Sequence, residues 1–163
     1  MNHPTAFDPM QFLDAQQTEV NERRPPLPTE NPDSSDGLYL ALIRGVKQDS
    51  GTMEKGERAG QPWVSVVLPL EIQVPQSIQD STKMQPTVIL TDRVFLSLTP
   101  QGSIDNSPGK NRGQKTYREA LDLNKPGDIW SWRKAEGQAV KVRISHELYE
   151  GEIQERVSGV FRR

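Results

Sequence analysis

Cysteine is absent from this 163-residue sequence, and the two histidines are His3 and His146. Without cysteine the chain forms no disulfide and offers no thiolate to a metal ion, which suits a reducing compartment. The two histidines are far apart in sequence, and neither has a second ligand at metal-binding spacing. We therefore expect no structural zinc site, no other metal and no cofactor.

Long apolar runs are also missing. Hydrophobic residues make up 33% of the chain, below the share that is usual in globular domains, so part of the chain is expected to lie outside the core. No run reaches the length that spans a bilayer. The opening residues, MNHPTAFDPM, lack the apolar stretch of a signal peptide. The sequence therefore predicts no membrane association and no secretory signal.

Catalytic motifs are not recognisable either. The stretch 107–121, SPGKNRGQKTYREAL, looks like a phosphate-binding loop that runs into a helix. Such a loop needs the pattern G-x-x-x-x-G-K-[ST], but Gly109 and Gly113 are one residue too close together and Gln114 stands in place of the lysine. No nucleophile, base and acid occur in a recognisable arrangement. We expect that the protein is not an enzyme.

Charge is unevenly distributed along the chain. The net charge is −2, but residues 1–36 carry −5, residues 37–100 carry zero and residues 101–163 carry +3. The first segment begins with a predicted short helix, capped by Asp8, and ends in a proline-rich stretch, PPLPTENPDSSDG, that cannot form a core. We predict an acidic, proline-rich N-terminal arm over residues 1–36 and one folded domain over residues 37–163.

Alternating apolar residues predict a mainly β fold. Strands are expected over 37–49, 62–74, 86–99, 137–149 and 151–163, with a polar loop over 74–86 and a helix over 116–123. The third of these is either one strand or two short ones broken near residues 91–92. Three strands, one short helix and two strands follow each other as in a five-stranded OB-like barrel, which has its helix between the third and fourth strands. A β-sandwich or another small barrel stays open as an alternative.

The alternation also separates inward positions from outward ones. The expected inward residues are Val64, Val66, Leu68, Leu70 and Ile72 in the second strand, Val140, Val142 and Ile144 in the fourth, and Ile153, Val157 and Phe161 in the fifth. Tyr39, Trp63 and Phe95 fall on the face opposite to the leucine-type positions of their strands. Exposed aromatic side chains form platforms on which the bases of a single strand stack. The alternative is that the tryptophans, including Trp130 and Trp132, belong to the core.

Basic residues accompany the aromatic ones. Cations and unpaired backbone N–H groups at the start of a helix favour anions such as phosphates. The residues expected to follow the phosphates of a nucleic acid are Lys110, Arg112, Lys115 and Arg118 near the helix and Lys141 and Arg143 on the fourth strand. Together with Tyr39, Trp63 and Phe95 they form the predicted nucleic-acid-binding set. The alternative is that these cations are an ordinary solvated surface.

Nearly the whole chain resembles a known family. The segments KNRGQKTYREALDLNKPGDIWSW and GQAVKVRISHELYEGEIQERVSGVF, with GLYLALIRGVK, PWVSVVLPLEI, DRVFLSLT and the opening FDPMQFLDAQ, are similar to small bacteriophage single-stranded-DNA-binding proteins with an OB-like fold. The resemblance implies single-stranded DNA as the partner, a role in phage DNA replication or recombination, and a location in the cytoplasm of an infected bacterial host.

A structural role is the rival interpretation. An extended proline-rich arm on a small β-barrel also suits a virion structural or decoration protein, whose arm contacts neighbouring subunits. Assembly into a homo-oligomer and a protein partner for the acidic arm stay open under both interpretations.

Overall fold

One antiparallel β-sheet forms the framework of the computed structural model, which describes residues 8–163. His3 lies outside these residues. Within them the six strands are β1 Tyr39–Ile43, β2 Lys47–Thr52, β3 Pro62–Gln73, β4 Thr87–Leu96, β5 Ala139–Tyr149 and β6 Glu152–Phe161. The helices in the same residues are α1 Gln11–Asp14, α2 Gln76–Thr82 and α3 Arg112–Ala120, with a 3₁₀ turn at Trp132–Ala135. The prediction of a mainly β fold is confirmed.

β3 is the central strand of the sheet. One of its edges pairs with β1 at residues 70–72 and with β2 at residues 62–67, and its other edge pairs with β4. The sheet continues from β1 to β5 and from β5 to β6. β4 and β6 approach each other, with Cα atoms within 8 Å, but no hydrogen-bonded ladder joins them in the described chain. We call the boundary between β4 and β6 the seam.

Among the described residues there are six strands where the sequence predicts five, because the expected first strand is interrupted at residues 44–46. The interruption lies opposite Pro69 of β3, which has no backbone N–H to donate to a neighbouring strand. The Arg44 N–H donates to the Pro69 carbonyl at 2.9 Å, whereas the Val46 N–H turns to the Glu136 carboxylate at 3.1 Å. β1 and β2 are thus two segments along the same edge of β3.

The core lies on one face of the sheet. The predicted inward residues of β3 and β5 that are buried are Val66, Leu68, Leu70 and Ile72, and Val140, Val142 and Ile144. In β1 the expected face is wrong, since Tyr39 and Ile43 are buried and Leu40 is exposed. Both alternating sets in β1 are apolar, so the pattern alone does not choose between its faces.

A β-bulge changes the face of β6. The pairing of β5 with β6 shifts between Arg143 and Ile144. One extra residue in a strand reverses which side chains point inward beyond it. Val160 is therefore buried, whereas Phe161, which was expected to face inward, lies against the Arg143 guanidinium, 4.8 Å from it. Ile153, also expected to face inward, is exposed near the tip of the β5–β6 hairpin.

The C-terminal part of the predicted arm packs against the domain. Leu27 is fully buried, its N–H donates to the Glu155 carboxylate at 2.8 Å, and its carbonyl lies 2.6 Å from Nε2 of His146. Arg24 pairs with the same Glu155 carboxylate at 2.7 Å. We call residues 23–33 the strap. Residues 8–22, upstream of it, are exposed throughout.

Residues 74–86, predicted as a polar loop, contain α2 instead. Ile78 is buried in the core. The backbone N–H and the hydroxyl of Ser77 both donate to the carboxylate of Asp33 in the strap, at 3.3 and 2.6 Å. Because α2 is a seven-residue helix with one buried side chain, it leaves almost no apolar periodicity in the sequence.

Candidate nucleic-acid interface

Trp63 and Phe95 meet on the outer face of the sheet, the face of β2, β3 and β4 that is turned away from the core. Their ring centroids are 5.7 Å apart in an edge-to-face arrangement. Phe95 is 61% exposed, while Trp63 is half-buried. The Trp63 ring lies across Gly51 of β2, where a Cβ atom would be 2.7 Å from the ring. Glycine at position 51 therefore lets the indole lie close to the strand surface.

Arg93 stands beside this aromatic pair on β4. Its guanidinium donates to the Asp49 carboxylate at 2.8 Å and to the Ser65 hydroxyl at 2.9 Å. The hydrogen bond from Arg93 holds the pKa of Asp49 below its usual range. Arg93 was not among the predicted site residues, although it shares the outward alternation of Phe95, two positions later. We call Trp63, Phe95 and Arg93 the aromatic–arginine patch.

The loop after β2 extends the patch. Residues 51–55 and Trp63 line a cavity of about 520 Å³. Met53 and Lys55 in this loop are exposed, so the loop brings an apolar side chain and a cation to the edge of the indole. Glu54 lines the same cavity, so the loop widens the patch with one cation and one carboxylate.

Tyr39, the third predicted stacking residue, does not belong to this surface. It is fully buried, and its hydroxyl donates to the Pro28 carbonyl of the strap at 2.7 Å. Burial, with the nearby Glu155 carboxylate, raises the pKa of Tyr39 to about 12. A side chain in this position cannot stack on a base, so the prediction for Tyr39 is corrected to a core residue that anchors the strap.

Part of the predicted basic cluster comes together at the start of α3. Lys110, Arg112 and Lys115 line one cavity of about 540 Å³ there. Lys115 also pairs with Glu119, one turn along the helix, at 3.4 Å. Arg118 has a different role, because its Nε donates to the Leu123 carbonyl at 2.8 Å and its guanidinium lies 6.0 Å from the Trp130 ring. Arg118 therefore holds the end of α3.

The predicted cations of β5 lie elsewhere in the sheet. β1 separates β5 from β3, so Lys141 and Arg143 are two strands away from Trp63. Lys141 pairs with Asp36 at 2.9 Å, and Arg143 stacks on Phe161. The structure thus brings the predicted residues together in two groups, one on the outer face and one at the start of α3.

The remaining tryptophans pack beneath α3. Trp132 lies 5.5 Å from the Tyr117 ring and 5.4 Å from the Trp130 ring, measured between centroids. Both tryptophans are half-buried against the core. Trp130 and Trp132 therefore pack against the core, as the alternative interpretation of the tryptophans predicts.

No protein-family model matches the chain, and no curated protein matches it. No helix within residues 8–163 has the length and apolar character needed to cross a membrane. In the same residues no group of three or more histidine, aspartate or glutamate side chains is placed to hold a metal ion.

Proposed function

We propose that this protein binds single-stranded DNA on the outer face of β2, β3 and β4. The observation that carries the proposal is the pair of half-buried Trp63 and exposed Phe95 beside Arg93. A base stacked on an aromatic side chain contributes about 1–3 kcal/mol, largely independently of sequence. The aromatic–arginine patch offers two such rings and a guanidinium that can bind phosphate in bidentate fashion.

The arrangement of the strands supports an OB-like fold for the domain. If β1 and β2 are counted as one interrupted strand, the order is three strands, α3 and two strands, with the first strand pairing with both the second and the fourth. β4 also approaches β6, without a hydrogen-bonded ladder between them, and this proximity supports a partly open barrel. In OB-folds the second and third strands, here β3 and β4, carry the oligonucleotide-binding face. The patch lies on these two strands, which supports the proposal.

The charges around the patch suit a phosphate backbone. The pair between Arg93 and Asp49 is exposed on both sides, with side-chain exposures of 40% and 49%, so it is a weak interaction that a phosphate can replace. Lys55 is on one side of the patch, and Lys110, Arg112 and Lys115 form a second cationic surface at the start of α3. Binding that uses these cations weakens as salt rises.

The biological setting of the proposal rests on the family resemblance. Phage proteins of this type act in DNA replication or recombination in the cytoplasm of the infected bacterium. A sequence-independent stacking surface suits that work, because such a protein must cover any single strand it meets.

Fluorescence titration tests the proposal. Oligo(dT) of about 16 nucleotides is added while tryptophan emission is followed at low and at raised salt. We expect quenching that weakens with salt, and Trp63→Phe should remove most of the quenching while keeping binding. Phe95→Ala should weaken binding about 5- to 100-fold, which corresponds to one lost stacking contact.

Ile89→Ala is the matched control for Phe95→Ala. Ile89 is also an exposed apolar residue on the outer face of β4, but it pairs with Glu71 at the far end of the strand. Binding by Ile89→Ala should equal that of the wild type. Equal binding by Phe95→Ala, or binding that ignores salt, would contradict the proposal.

The virion structural role is the second candidate, and one observation favours it. Residues 8–22 are exposed throughout and include the apolar side chains of Leu13 and Val20, which suit a contact with another subunit. Deleting residues 1–22 leaves the strap in place. Light scattering should then show loss of assembly if the structural role is right, whereas oligonucleotide binding should stay equal or strengthen if the protein binds DNA.

A further inference from the structure

The seam between β4 and β6 contains a cavity that opens beside the aromatic–arginine patch. Its volume is about 290 Å³. Its walls come from β4, from α3 and from residues 157–160 of β6. Arg93 and Phe95 line it as well, so the patch and the cavity share two residues of β4. A strand lying on the patch is therefore next to the mouth of the cavity.

A carboxylate lies inside this cavity. Asp92 occupies an inward position of β4, and its Oδ2 accepts a hydrogen bond from the Tyr117 hydroxyl at 2.7 Å. Burial raises the pKa of Asp92. Within residues 8–163 no ion pair reaches Asp92, because the neighbouring Arg93 points to the outer face and pairs with Asp49.

An inward carboxylate without a cation is costly in a protein. Burying a charge that is not paired opposes folding, and an apolar residue would fill an inward strand position at no such cost. The hydrogen bond from Tyr117 attaches α3 to β4, but a neutral asparagine would also accept a hydrogen bond there. The attachment of α3 therefore does not by itself require a negative charge at this position.

Resting on the proposed function, we infer that the seam cavity takes one base of the bound strand and that Asp92 favours cytosine over thymine. The N4 amino group of cytosine donates to a carboxylate oxygen, whereas thymine presents the O4 acceptor at the same place. The Thr116 and Ser158 hydroxyls on the other walls already donate to the backbone carbonyls of Arg112 and Arg143, at 3.0 and 3.4 Å, and Asp92 is the lining residue with a carboxylate. Discrimination between the two pyrimidines therefore falls to Asp92.

Oligo(dC) and oligo(dT) of equal length, compared under mildly alkaline conditions, test this inference. Both bases are pyrimidines of similar size, so a difference in affinity reports the exocyclic group. A charge-assisted hydrogen bond is worth roughly 1.5–3 kcal/mol, so we expect the wild type to bind oligo(dC) about tenfold more tightly or better. Asp92→Asn should bring the two affinities together, because an amide donates and accepts.

Tyr117→Phe is the control that separates the base contact from the helix attachment. This variant loses the hydroxyl bond to Asp92 but keeps the carboxylate, so the preference for oligo(dC) should persist. If the wild type binds both strands equally, or if Asp92→Asn keeps the preference, this inference is wrong and the proposed function stands. If neither strand binds the wild type, the proposed function itself fails.

Discussion

The outer face of β3–β4 and the region beneath α3 use the same kinds of residue in opposite ways. On the outer face, Trp63 and Phe95 stand beside Arg93, and Phe95 is mostly exposed. Beneath α3, Trp130 and Trp132 stand beside Arg118, but helix and rings cover one another.

The difference shows what separates a binding surface from a packed one. Arg118 donates to the backbone carbonyl of Leu123, so its hydrogen bonding is used to hold the helix end. Arg93 donates to an exposed carboxylate and a hydroxyl, which a ligand can replace. A tryptophan beside an arginine therefore does not identify a binding surface by itself. What decides the role is whether other residues bury the aromatic rings.

Removing the ring of Tyr117, which α3 buries against the core, should have the largest effect on stability. Tyr117 is almost fully buried, and Tyr117→Ala should lower the free energy of unfolding by about 3–5 kcal/mol, because it leaves a cavity and an unpaired Asp92. Phe95→Ala, on the exposed face, should cost about 1 kcal/mol or less. Urea unfolding of both variants measures the two values. Equal losses of stability in Tyr117→Ala and Phe95→Ala would contradict the distinction between a packed and an exposed region.

Adding a methyl group under Trp63 should have an intermediate effect. In Gly51→Ala the new Cβ atom would be 2.7 Å from the indole, so the ring has to leave the surface of β2. We expect oligonucleotide affinity to fall about tenfold and stability by about 1–3 kcal/mol. Ser50→Ala, at the adjacent exposed position, is the control and should bind normally. Normal binding by Gly51→Ala would show that the position of Trp63 does not matter.

The smallest effect should appear in the pH dependence of stability. Ionisation of Asp49 on the outer face and of Asp92 beneath α3 should change the stability in opposite directions. The pKa of Asp49 is lowered by Arg93, so its ionised form stabilises the fold above its unfolded pKa, and this contribution is lost as pH falls. The pKa of Asp92 is raised by burial, so its ionised form destabilises the fold at neutral pH, and this cost disappears in acid.

Two asparagine variants measure this contrast. At about pH 7 Asp49→Asn should be slightly less stable than the wild type and Asp92→Asn more stable, whereas at about pH 3 both differences should shrink. Urea midpoints at the two pH values provide the test. The same sign for both variants would mean that the two carboxylates do not differ as described.

The sequence predicts the fold best where one face of a strand is clearly apolar. In β5, Val140, Val142 and Ile144 alternate with polar residues, and they are buried as expected. In β1 both faces are apolar, and the choice falls to Tyr39, whose hydroxyl reaches the carbonyl of Pro28, eleven residues upstream. A period-two pattern contains no information about such a partner.

For the candidate site, too, the alternation pattern predicts which side chains point outward but not which partners they have. The outward alternation finds Trp63 and Phe95, and applied to Arg93 it would have found that residue as well. It cannot show that Lys141 pairs with Asp36, 105 residues away in sequence, or that Arg118 caps its own helix. Those assignments depend on contacts that the folded chain creates.

The strap also imposes an order on synthesis. Leu27 and Arg24 are made before their partners His146 and Glu155, which lie in β5 and β6, more than a hundred residues later. Until those strands have left the ribosome, Leu27 has no surface against which to bury itself, and contacts this distant in sequence form slowly. The strap is therefore synthesised before the β5–β6 hairpin but fixed only after it, and a docked strap marks a domain whose β5–β6 hairpin is already in place.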